Sequence, residues 1–292
     1  MIYVERLRAF TVGQPLEAVR LKSVFLVRSV EPPISDAVGR KVESVERIGK
    51  RIALGFEGDL FYVFHLMITG RLRWRKRGAG LPGRAGLAAF DFPHGSLMLT
   101  EQAKRKRASL HAVQGREALA VFDPGGLEVF DATQEEFVDR LRSANHTLKR
   151  ALTSPRLLSG IGNAYSDEIL HHARISPLKW TSRLTDEEMA RLFASTREIL
   201  TRWTDRTREE VGDKFPDKVT AFREGMAVHG RYREPCPDCC TPVQRIVRGD
   251  HETNYCPACQ TDGKVYADNA LSKLLGKDWP RTVEEWEELK NR

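Results

Sequence analysis

The sequence predicts an α+β protein of more than one domain, in which an antiparallel β-sheet domain precedes a helical domain and a cysteine-rich hairpin. Three observations favour this order. Short β-rich runs separated by glycine-bearing breaks fill residues 1–126, and helical periodicity with capping signatures follows Gly126. All five cysteines lie between Cys236 and Cys259. We therefore expect a β domain over 1–126, a helical domain over 127–230, a metal-binding finger over 231–262 and a C-terminal extension over 263–292.

The first domain contains four β-rich runs, which we interpret as strands: RIALGF, LFYVFHLMITGRLRW, GSLMLT and EALAVF. One helix precedes them, because Tyr3, Leu7 and Phe10 recur at helical spacing and Gly13 can end the helix. No Ser, Thr, Asp or Asn stands before these residues, so the helix is expected to open on Met1 without a cap.

The helical domain is indicated by two capping-box spacings. Thr133 with Glu136 predicts the start of one long helix that reaches Leu152, and Thr185 with Glu188 predicts the start of a second. The segment Ala221–Gly230 is expected to form a last short helix. Between the two long helices lies the stretch SGIGNAYSDEILHHARISPL.

Composition narrows the class of protein and of partner. The 292 residues are 41% hydrophobic and 30% charged, which is typical of a soluble globular protein. A net charge of +7 favours a polyanionic partner, with nucleic acid first, although an excess of solvated lysines would give the same total. No segment has the length and apolarity of a signal peptide or a membrane span, so we expect a cytoplasmic protein without a membrane partner.

The cysteines form two C-x-x-C knuckles separated by sixteen residues, the spacing of a four-cysteine zinc ribbon. This pattern predicts one structural Zn²⁺ bound by Cys236, Cys239, Cys256 and Cys259. Cys240 is a spare thiol that could replace Cys239. The segment TPVQRIVRGDHETNY between the knuckles is expected to be a β-hairpin with its turn near Gly249-Asp250. A catalytic dithiol would need a thioredoxin-like βαβ context, which the sequence lacks.

The glycines of Gly160-Ile161-Gly162-Asn163 precede a predicted helix start near Ala164. A dinucleotide-binding loop is disfavoured, because no strand precedes the motif and no third glycine follows it. The unpaired N–H groups of a helix start form an anion site, and Asn163 could cap the helix or donate directly to a phosphate. An ordinary turn in which Asn163 only caps the helix explains the motif equally well.

Several segments together resemble a known family. GIGNAYSDEIL is similar to the helix-two-turn-helix signature of the formamidopyrimidine-DNA glycosylase and endonuclease VIII family. FREGMAVHGRYREPCPDC followed by NYCPACQ resembles that family's approach to its zinc finger, and HLMITGRLRW and RIGKRIAL resemble segments of its N-terminal domain. The resemblance extends to about Thr261.

The resemblance implies an N-terminal antiparallel β-sandwich, a helix-two-turn-helix domain with a zinc-ribbon hairpin, and one Zn²⁺. It implies a monomeric, bacterial-type, nucleoid-associated enzyme of base excision repair that flips an oxidised base out of duplex DNA, removes it, and cleaves the strand at the abasic site. The partner is double-stranded DNA with a damaged base or an abasic site.

The resemblance also implies roles for individual residues. Lys50 and His65 would bind phosphates from the sheet domain, and Lys149 and Asn163 from the helical domain. His251 stands where the family's zinc-hairpin arginine is expected, with Arg248 as a possible substitute. Without the resemblance, the two lysines read as solvated surface charges and His65 as a core histidine.

The chain departs from the family at its start. The family's nucleophile is the amine of an N-terminal proline followed by glutamate, whereas here Met1-Ile2-Tyr3 already falls within the predicted helix. Either the native protein begins upstream, the interpretation we favour, or the protein binds DNA and has lost this amine. The Met1 amine is the only analogous group, and a displaced nucleophile predicts a nearly inactive chain.

A second departure concerns the space left by a flipped nucleotide. Ile68 stands where the family's wedging methionine is expected, and Thr100–Leu110 lacks the Arg-x-Phe pair that commonly fills the gap. The basic run Lys104–Arg107 could contact phosphate, the gap, or only solvent.

Two functions of other classes remain open from the sequence. One is a catalytically inactive DNA-damage or junction-binding protein on the same scaffold. The other is a zinc-ribbon protein that binds RNA or the ribosome.

Overall fold

The computed structural model describes residues 1–217, 223–249, 251–266, 275–276 and 279–290, without the side chains of residues 287 and 290. The chain divides into two compact units. The first comprises Met1–Pro124 with Thr204–Val219, and the second comprises Gly125–Trp203 with Thr220–Arg292. The finer division into four parts stays a prediction.

The first unit contains a helix, α1 (Ile2–Thr11), and two four-stranded antiparallel sheets. One sheet has the order β1-β6-β7-β5, and the other has the order β2-β3-β4-β8. The strands are β1 (Ala18–Leu21), β2 (Val42–Ile48), β3 (Arg51–Phe56), β4 (Leu60–His65), β5 (Gly70–Arg75), β6 (Gly86–Phe92), β7 (Gly95–Glu101) and β8 (Ser109–Gln114).

Aromatic side chains from both sheets meet in the core of the first unit. The ring of Phe64 on β4 packs edge-on against Phe90 on β6, with 5.3 Å between centroids, and Tyr62 packs on Phe56 at 4.8 Å. All four side chains are buried. Such edge-to-face pairs add to the burial of apolar surface. The sheets therefore pack face to face, and the predicted β-sandwich preceded by a helix is confirmed.

Helix α1 begins and ends as the sequence predicts. Met1 is its N-terminal flanking residue and makes no side-chain cap, while the N–H groups of Val4 and Glu5 donate to the Met1 carbonyl. The helix ends at Thr11, and Gly13 then adopts a φ of +79°. Glycine takes this left-handed conformation without a steric penalty, so the chain can turn toward β1.

One strand prediction in the first unit is wrong. EALAVF is not a strand but part of a 3₁₀ helix, Arg116–Phe122. Gly115, with a φ of +88°, turns the chain after β8, and an Asp59 carboxylate oxygen accepts from the Arg116 N–H at 3.1 Å. LFYVFHLMITGRLRW is β-structured as predicted and forms two strands, β4 and β5, because Met67 adopts a φ of +54° and the Gly70 N–H closes a turn on the Leu66 carbonyl.

The helices of the second unit are α2 (Gln134–Arg142), α3 (Leu148–Thr153) and α4 (Asn163–His172), followed by α5 (Asp186–Val211), whose last turns belong to the first unit. Both predicted capping boxes form: the Glu136 N–H donates to Thr133 Oγ1 at 3.2 Å, and the Glu188 N–H to Thr185 Oγ1 at 3.3 Å. The starts of α2 and α5 are therefore as predicted.

The helix expected to continue to Leu152 is interrupted between α2 and α3. Thr181 Oγ1 donates to the Ala144 carbonyl at 2.7 Å and accepts from the His146 N–H at 3.2 Å. These bonds satisfy backbone groups that a continuous helix would use within itself. The apolar stripe continues across the break, so periodicity alone predicted one long helix.

The predicted short helix over Ala221–Gly230 lies partly outside the described residues. The described part, residues 223–230, forms turns and no helix. The Glu168 carboxylate accepts from the N–H groups of Ala227, Val228 and His229 at 2.7–3.0 Å. These three hydrogen bonds to the buried Glu168 carboxylate hold residues 227–229 in a non-helical turn. The helix prediction is therefore wrong for residues 223–230.

The cysteine-rich segment forms the predicted hairpin. Strand β9 (Gln244–Arg248) pairs antiparallel with β10 (His251–Tyr255), and Arg248 lies opposite His251. Gly249 adopts a φ of +60° in the turn, while Asp250 is outside the described residues. A short helix, α6 (Pro257–Gln260), begins within the second knuckle, directly after Cys256, and α7 (Val283–Lys290) lies in the C-terminal extension. Among the residues described, we find no helix with the length and apolarity that a membrane span requires.

Candidate functional site

Four cationic or titratable side chains lie at one end of the sheet formed by β2, β3, β4 and β8. Lys50 is exposed in the β2–β3 turn, and Arg51 pairs with His65 across β3 and β4. His111 lies on the neighbouring strand β8, opposite Val63. Burial, together with the charges of Arg51, Lys50 and His111, lowers the pKa of His65. The structure thus brings the predicted residues Lys50 and His65 into one basic cluster.

Arg51 and His111 belong to this basic cluster but were not predicted. The guanidinium of Arg51 donates to the Phe122 carbonyl at 3.0 Å, and the His111 ring packs on the Phe122 ring at 5.0 Å between centroids. Burial, followed by the charges of Arg51 and Arg28, also lowers the pKa of His111. Their proximity depends on strand register, for which the sequence carries only an indirect signal.

The turn that carries Ile68 and the basic run Lys104–Arg107 share one anchor, Glu101. Thr69 Oγ1 donates to one carboxylate oxygen of Glu101 at 2.9 Å, and the other oxygen accepts from the N–H groups of Arg107 and Ala108 at 2.9 and 3.1 Å. Glu101 is buried, whereas the side chain of Ile68 is 78% exposed. The structure therefore holds an exposed apolar side chain beside an exposed basic loop. The wedge role of Ile68 stays a prediction.

In the second unit, Lys149 on α3 faces the first turns of α4. Its ammonium lies 2.5 Å from Asp167 Oδ1 and 2.7 Å from the Asn163 carbonyl oxygen. The lysine side chain is only 12% exposed, and burial lowers its pKa while Asp167 opposes that shift. Lys149 is therefore not a solvated surface charge, and that interpretation is wrong.

Asn163 is the first residue of α4 rather than its cap. Gly162 is the N-terminal flanking residue, with no side-chain cap, so the interpretation in which Asn163 only caps the helix is wrong. Asn163 Nδ2 donates instead to the Glu252 carbonyl on β10 at 2.8 Å. The side chain thus joins the start of α4 to the hairpin, beside helix N–H groups that have no partner within the helix.

Asp167 and Glu168 are buried acidic residues that the sequence did not single out. The second carboxylate oxygen of Asp167 lies 2.8 Å from His229 Nδ1, so Asp167 bridges Lys149 and His229. Glu168 binds the N–H groups of 227–229, as described above. The sequence did not predict the partners of Asp167, because Lys149 and His229 lie 18 and 62 residues away from it in the chain.

The four predicted metal ligands lie together. The Sγ atoms of Cys236, Cys239, Cys256 and Cys259 are all within 4.8 Å of one another. The Sγ atoms of Cys236 and Cys259 are 3.9 Å apart, and those of Cys239 and Cys256 are 3.4 Å apart. Zn–S bonds of ~2.3 Å place tetrahedral sulfurs about 3.8 Å apart, so the set fits a zinc ion. Cys240 is exposed at a φ of +63° and is not part of the set. On the first knuckle, the four-sulfur set therefore includes Cys236 and Cys239, and not Cys240.

Arg248 and His251 are exposed on either side of the hairpin turn. Their side chains therefore lie next to each other at the tip of the hairpin. A neighbouring arginine, Arg245, is more constrained, because its guanidinium packs over the Tyr232 ring at 4.3 Å. The DNA-binding roles of Arg248 and His251 stay predictions.

Comparison with known proteins identifies the family. A model of the formamidopyrimidine-DNA glycosylase N-terminal domain matches residues 2–124, and a model of the same family's H2TH domain matches residues 126–212. The formamidopyrimidine-DNA glycosylase of Thermus thermophilus is 31% identical over 269 residues, covering 88% of this chain and 95% of the relative. The chain belongs to the formamidopyrimidine-DNA glycosylase family. The resemblance stated from the sequence is thereby confirmed.

Other proteins that carry the formamidopyrimidine-DNA glycosylase name also match the chain. The enzyme of that name from Solibacter usitatus is 28% identical and covers 88% of the chain. A formamidopyrimidine-DNA glycosylase-like protein of Mycobacterium tuberculosis, described as uncharacterized, is 35% identical over 150 residues, which is 51% of this chain and 93% of that protein.

Solved structures show the same fold. The complex of Lactococcus lactis Fpg with DNA containing an abasic site has a TM-score of 0.77 at 23% identity, covering 89% of this chain and 97% of that one. A complex of the same enzyme with DNA containing an oxidized pyrimidine gives 0.77 at 24% identity. At 23–24% identity, these structures show that the chain has the same β-sandwich and H2TH fold.

Proposed function

We propose that the protein is a DNA glycosylase and abasic-site lyase of base excision repair that acts on oxidised bases in duplex DNA. The observation that carries the proposal is the junction at the start of α4. There Lys149, Asn163 and the cysteine hairpin are connected by direct hydrogen bonds within one unit. A DNA phosphate is bound well by groups of this kind: the N–H groups at the start of α4, the Lys149 ammonium and the Asn163 amide. Membership of the family supplies the duplex as the partner.

The proposed roles of the binding residues follow from their chemistry. Lys50 and His65 would contact phosphates from the first unit, and Lys149 and Asn163 from the second. Arg248 and His251 would contact DNA from the hairpin tip, and Ile68 would enter the space left by a flipped nucleotide. Phosphate contacts fix position and carry no sequence information, so binding should depend on the lesion more than on the sequence around it.

We assign a structural Zn²⁺ to the four cysteines. A four-thiolate site leaves no open coordination position, so the metal would stabilise the hairpin and take no part in the reaction. The folding of so small a module depends on its metal. The zinc would therefore fix the position of Glu252 in the hairpin. The Glu252 carbonyl in turn accepts the hydrogen bond that orients the Asn163 amide.

Cleavage of the glycosidic bond in this family depends on an amine ahead of α1. In this chain the carbonyl of Met1 already accepts the first hydrogen bonds of α1, from Val4 and Glu5. A Pro-Glu pair at the N-terminus, ahead of α1, would supply this nucleophile. A protein that starts at Met1 is expected to react slowly, because a displaced nucleophile of even ~1 Å can lose about 10²-fold in rate.

A second candidate function depends on the same amine. A chain that keeps the DNA-binding residues and lacks the amine would be a catalytically inactive protein that binds damaged DNA. Such a protein would recognise the same duplexes without cleaving them.

Borohydride trapping distinguishes the two candidates. The protein, with its N-terminus determined by mass spectrometry, is incubated with a duplex carrying an oxidised base or an abasic site and then reduced. A glycosylase and lyase gives a covalent adduct and a nicked strand. A protein with an N-terminal Pro-Glu that binds these duplexes and gives no adduct is the binding protein instead. Preference for RNA over every damaged duplex would overturn both.

A further inference from the structure

A buried histidine of α4 lies against the cysteine cluster and has no role in the function proposed so far. His171 is 3% exposed, and its Nε2 lies 3.2 Å from Cys236 Sγ. A ring nitrogen of the same histidine, an Asp238 carboxylate oxygen and Cys259 Sγ all lie within 4.8 Å of one another. His171 therefore reaches the metal site from a helix outside the cysteine module.

The chemistry of the sulfur decides which atom carries the hydrogen. A zinc-bound cysteine is a thiolate and has no proton to donate. The imidazole nitrogen that faces Cys236 must therefore be an N–H group for the contact to be a hydrogen bond. The four cysteines already fill a tetrahedron, so the histidine has no coordination position to occupy.

We propose that His171 is a positioning residue for the zinc site, whose Nε2–H donates to the Cys236 thiolate and fastens the metal to α4. Four thiolates around one Zn²⁺ leave net negative charge in a partly buried place, and an N–H donor from the protein offsets it. Asn163 stands eight residues earlier on the same helix, about 12 Å along its axis. The C-terminal end of α4 is thereby linked to the metal site through His171. The N-terminal end of α4 is linked to the hairpin through the hydrogen bond from Asn163 to the Glu252 carbonyl. This inference depends on the zinc assignment made under the proposed function and not on the glycosylase activity.

The matched variants are His171→Gln and His171→Leu, made in the full-length zinc-loaded protein. Glutamine carries an amide donor near the position of the imidazole Nε2, whereas leucine fills similar volume without a donor. His172→Gln is the control, because His172 contacts Ser195 and Glu198 rather than a cysteine. The rate of zinc transfer to a chromogenic chelator is measured at fixed pH. Loss of a hydrogen bond to a ligand typically costs about 10–100-fold in metal affinity.

The expected result is that His171→Leu releases zinc about 10-fold faster or more, while His171→Gln and His172→Gln stay within about 3-fold of the parent. Equal release from His171→Leu and the parent overturns the proposal. Equal acceleration in the glutamine and leucine variants also overturns it, because the histidine would then act only by packing. A parent protein that contains no zinc would overturn the metal assignment itself, which separates the two failures.

A measurement on the parent protein covers the case in which His171→Leu does not fold. In protein carrying an NMR-active cadmium isotope and nitrogen-labelled histidine, a scalar coupling between the Nε2–H proton and cadmium is expected across the hydrogen bond. Absence of that coupling, with the metal bound and the imidazole proton resolved, contradicts the proposal. An absorption spectrum of the cobalt-substituted protein that indicates three sulfurs and one nitrogen would contradict it too, since His171 would then be a ligand.

Discussion

The Lys149 ammonium and the Asp167 carboxylate form a buried ion pair, with 2.5 Å between Nζ and Oδ1, and Asp167 is also bonded to His229. Asp167 is fully buried, and Lys149 is 12% exposed. In such a pair each charge depends on the other, because neither has enough water to solvate it. The residue predicted to bind phosphate is thus also part of the internal structure of the second unit.

Removing the lysine should destabilise the protein strongly. We expect Lys149→Met to cost about 3–5 kcal/mol, since it leaves the Asp167 charge buried without the lysine ammonium that balances it. Equilibrium denaturation measures the cost, and Arg150→Met, at the exposed neighbouring position, is the control. Adding Asp167→Asn to the Lys149→Met variant should recover part of the loss. A cost for Lys149→Met no greater than that of the control would show that the pair contributes little.

Substitution of the adjacent residues Cys239 and Cys240 tests which cysteines bind the metal. We expect Cys239→Ser to lose bound zinc and Cys240→Ser to retain one zinc per chain, because only Cys239 lies within the four-sulfur set. Elemental analysis of the purified proteins measures the zinc content. The opposite result would place Cys240 in the ligand set.

The phosphate role proposed for Lys50 predicts a change in salt dependence. Loss of one phosphate contact lowers the slope of log affinity against log salt by roughly 0.9. We therefore expect this change for Lys50→Ala, measured by titration of a duplex containing an abasic site at several salt concentrations. Lys41→Ala, at another exposed lysine of the same unit, should leave the slope at the parent value. An unchanged slope for Lys50→Ala would remove Lys50 from the binding surface.

The lowered pKa of His65 should make the free energy of unfolding depend on pH. Burial and the nearby charges of Arg51, Lys50 and His111 lower its folded-state pKa below the ordinary 6.5. The unfolded chain therefore takes up a proton first as the pH falls, so the contribution of His65 to stability is fully present above pH 6.5 and is lost as the pH drops toward the folded-state pKa. We expect His65→Gln to reduce this decrease, with unfolding free energies measured at about pH 7.5 and about pH 5.5. His94→Gln, at an exposed histidine of the same unit, should keep the parent behaviour, and an unchanged decrease in His65→Gln would contradict the account.

Features that depend on a few neighbouring residues were predictable from the sequence. The Thr133 and Thr185 capping boxes, the uncapped α1, the hairpin and the four zinc ligands each follow from side chains within one or two turns or knuckles. The resemblance to the family located Lys149 and Asn163, which prove to be in contact.

Features decided by distant partners were not predictable. EALAVF has the composition of a strand, but the Arg116 N–H that precedes it donates to the carboxylate of Asp59, 57 residues earlier, where the 3₁₀ helix begins. The break between α2 and α3 depends on the hydroxyl of Thr181, about 35 residues away. Arg51 and His111 join the basic cluster through strand register, and His171 meets Cys236 from 65 residues earlier in the chain.

Binding of a duplex that contains a stable abasic-site analogue tests the central claim most directly. The proposed function predicts that the protein binds this duplex about 10-fold tighter or more than the intact duplex of the same sequence, because a missing base lowers the cost of opening the stack. Asn163→Asp, which places a negative charge at the start of α4, should weaken binding about 10-fold or more. Asn145→Asp, at an exposed position of the same unit, should stay within about 2-fold of the parent. Equal affinity for the abasic duplex, the intact duplex and RNA, with no effect of Asn163→Asp, would contradict the account.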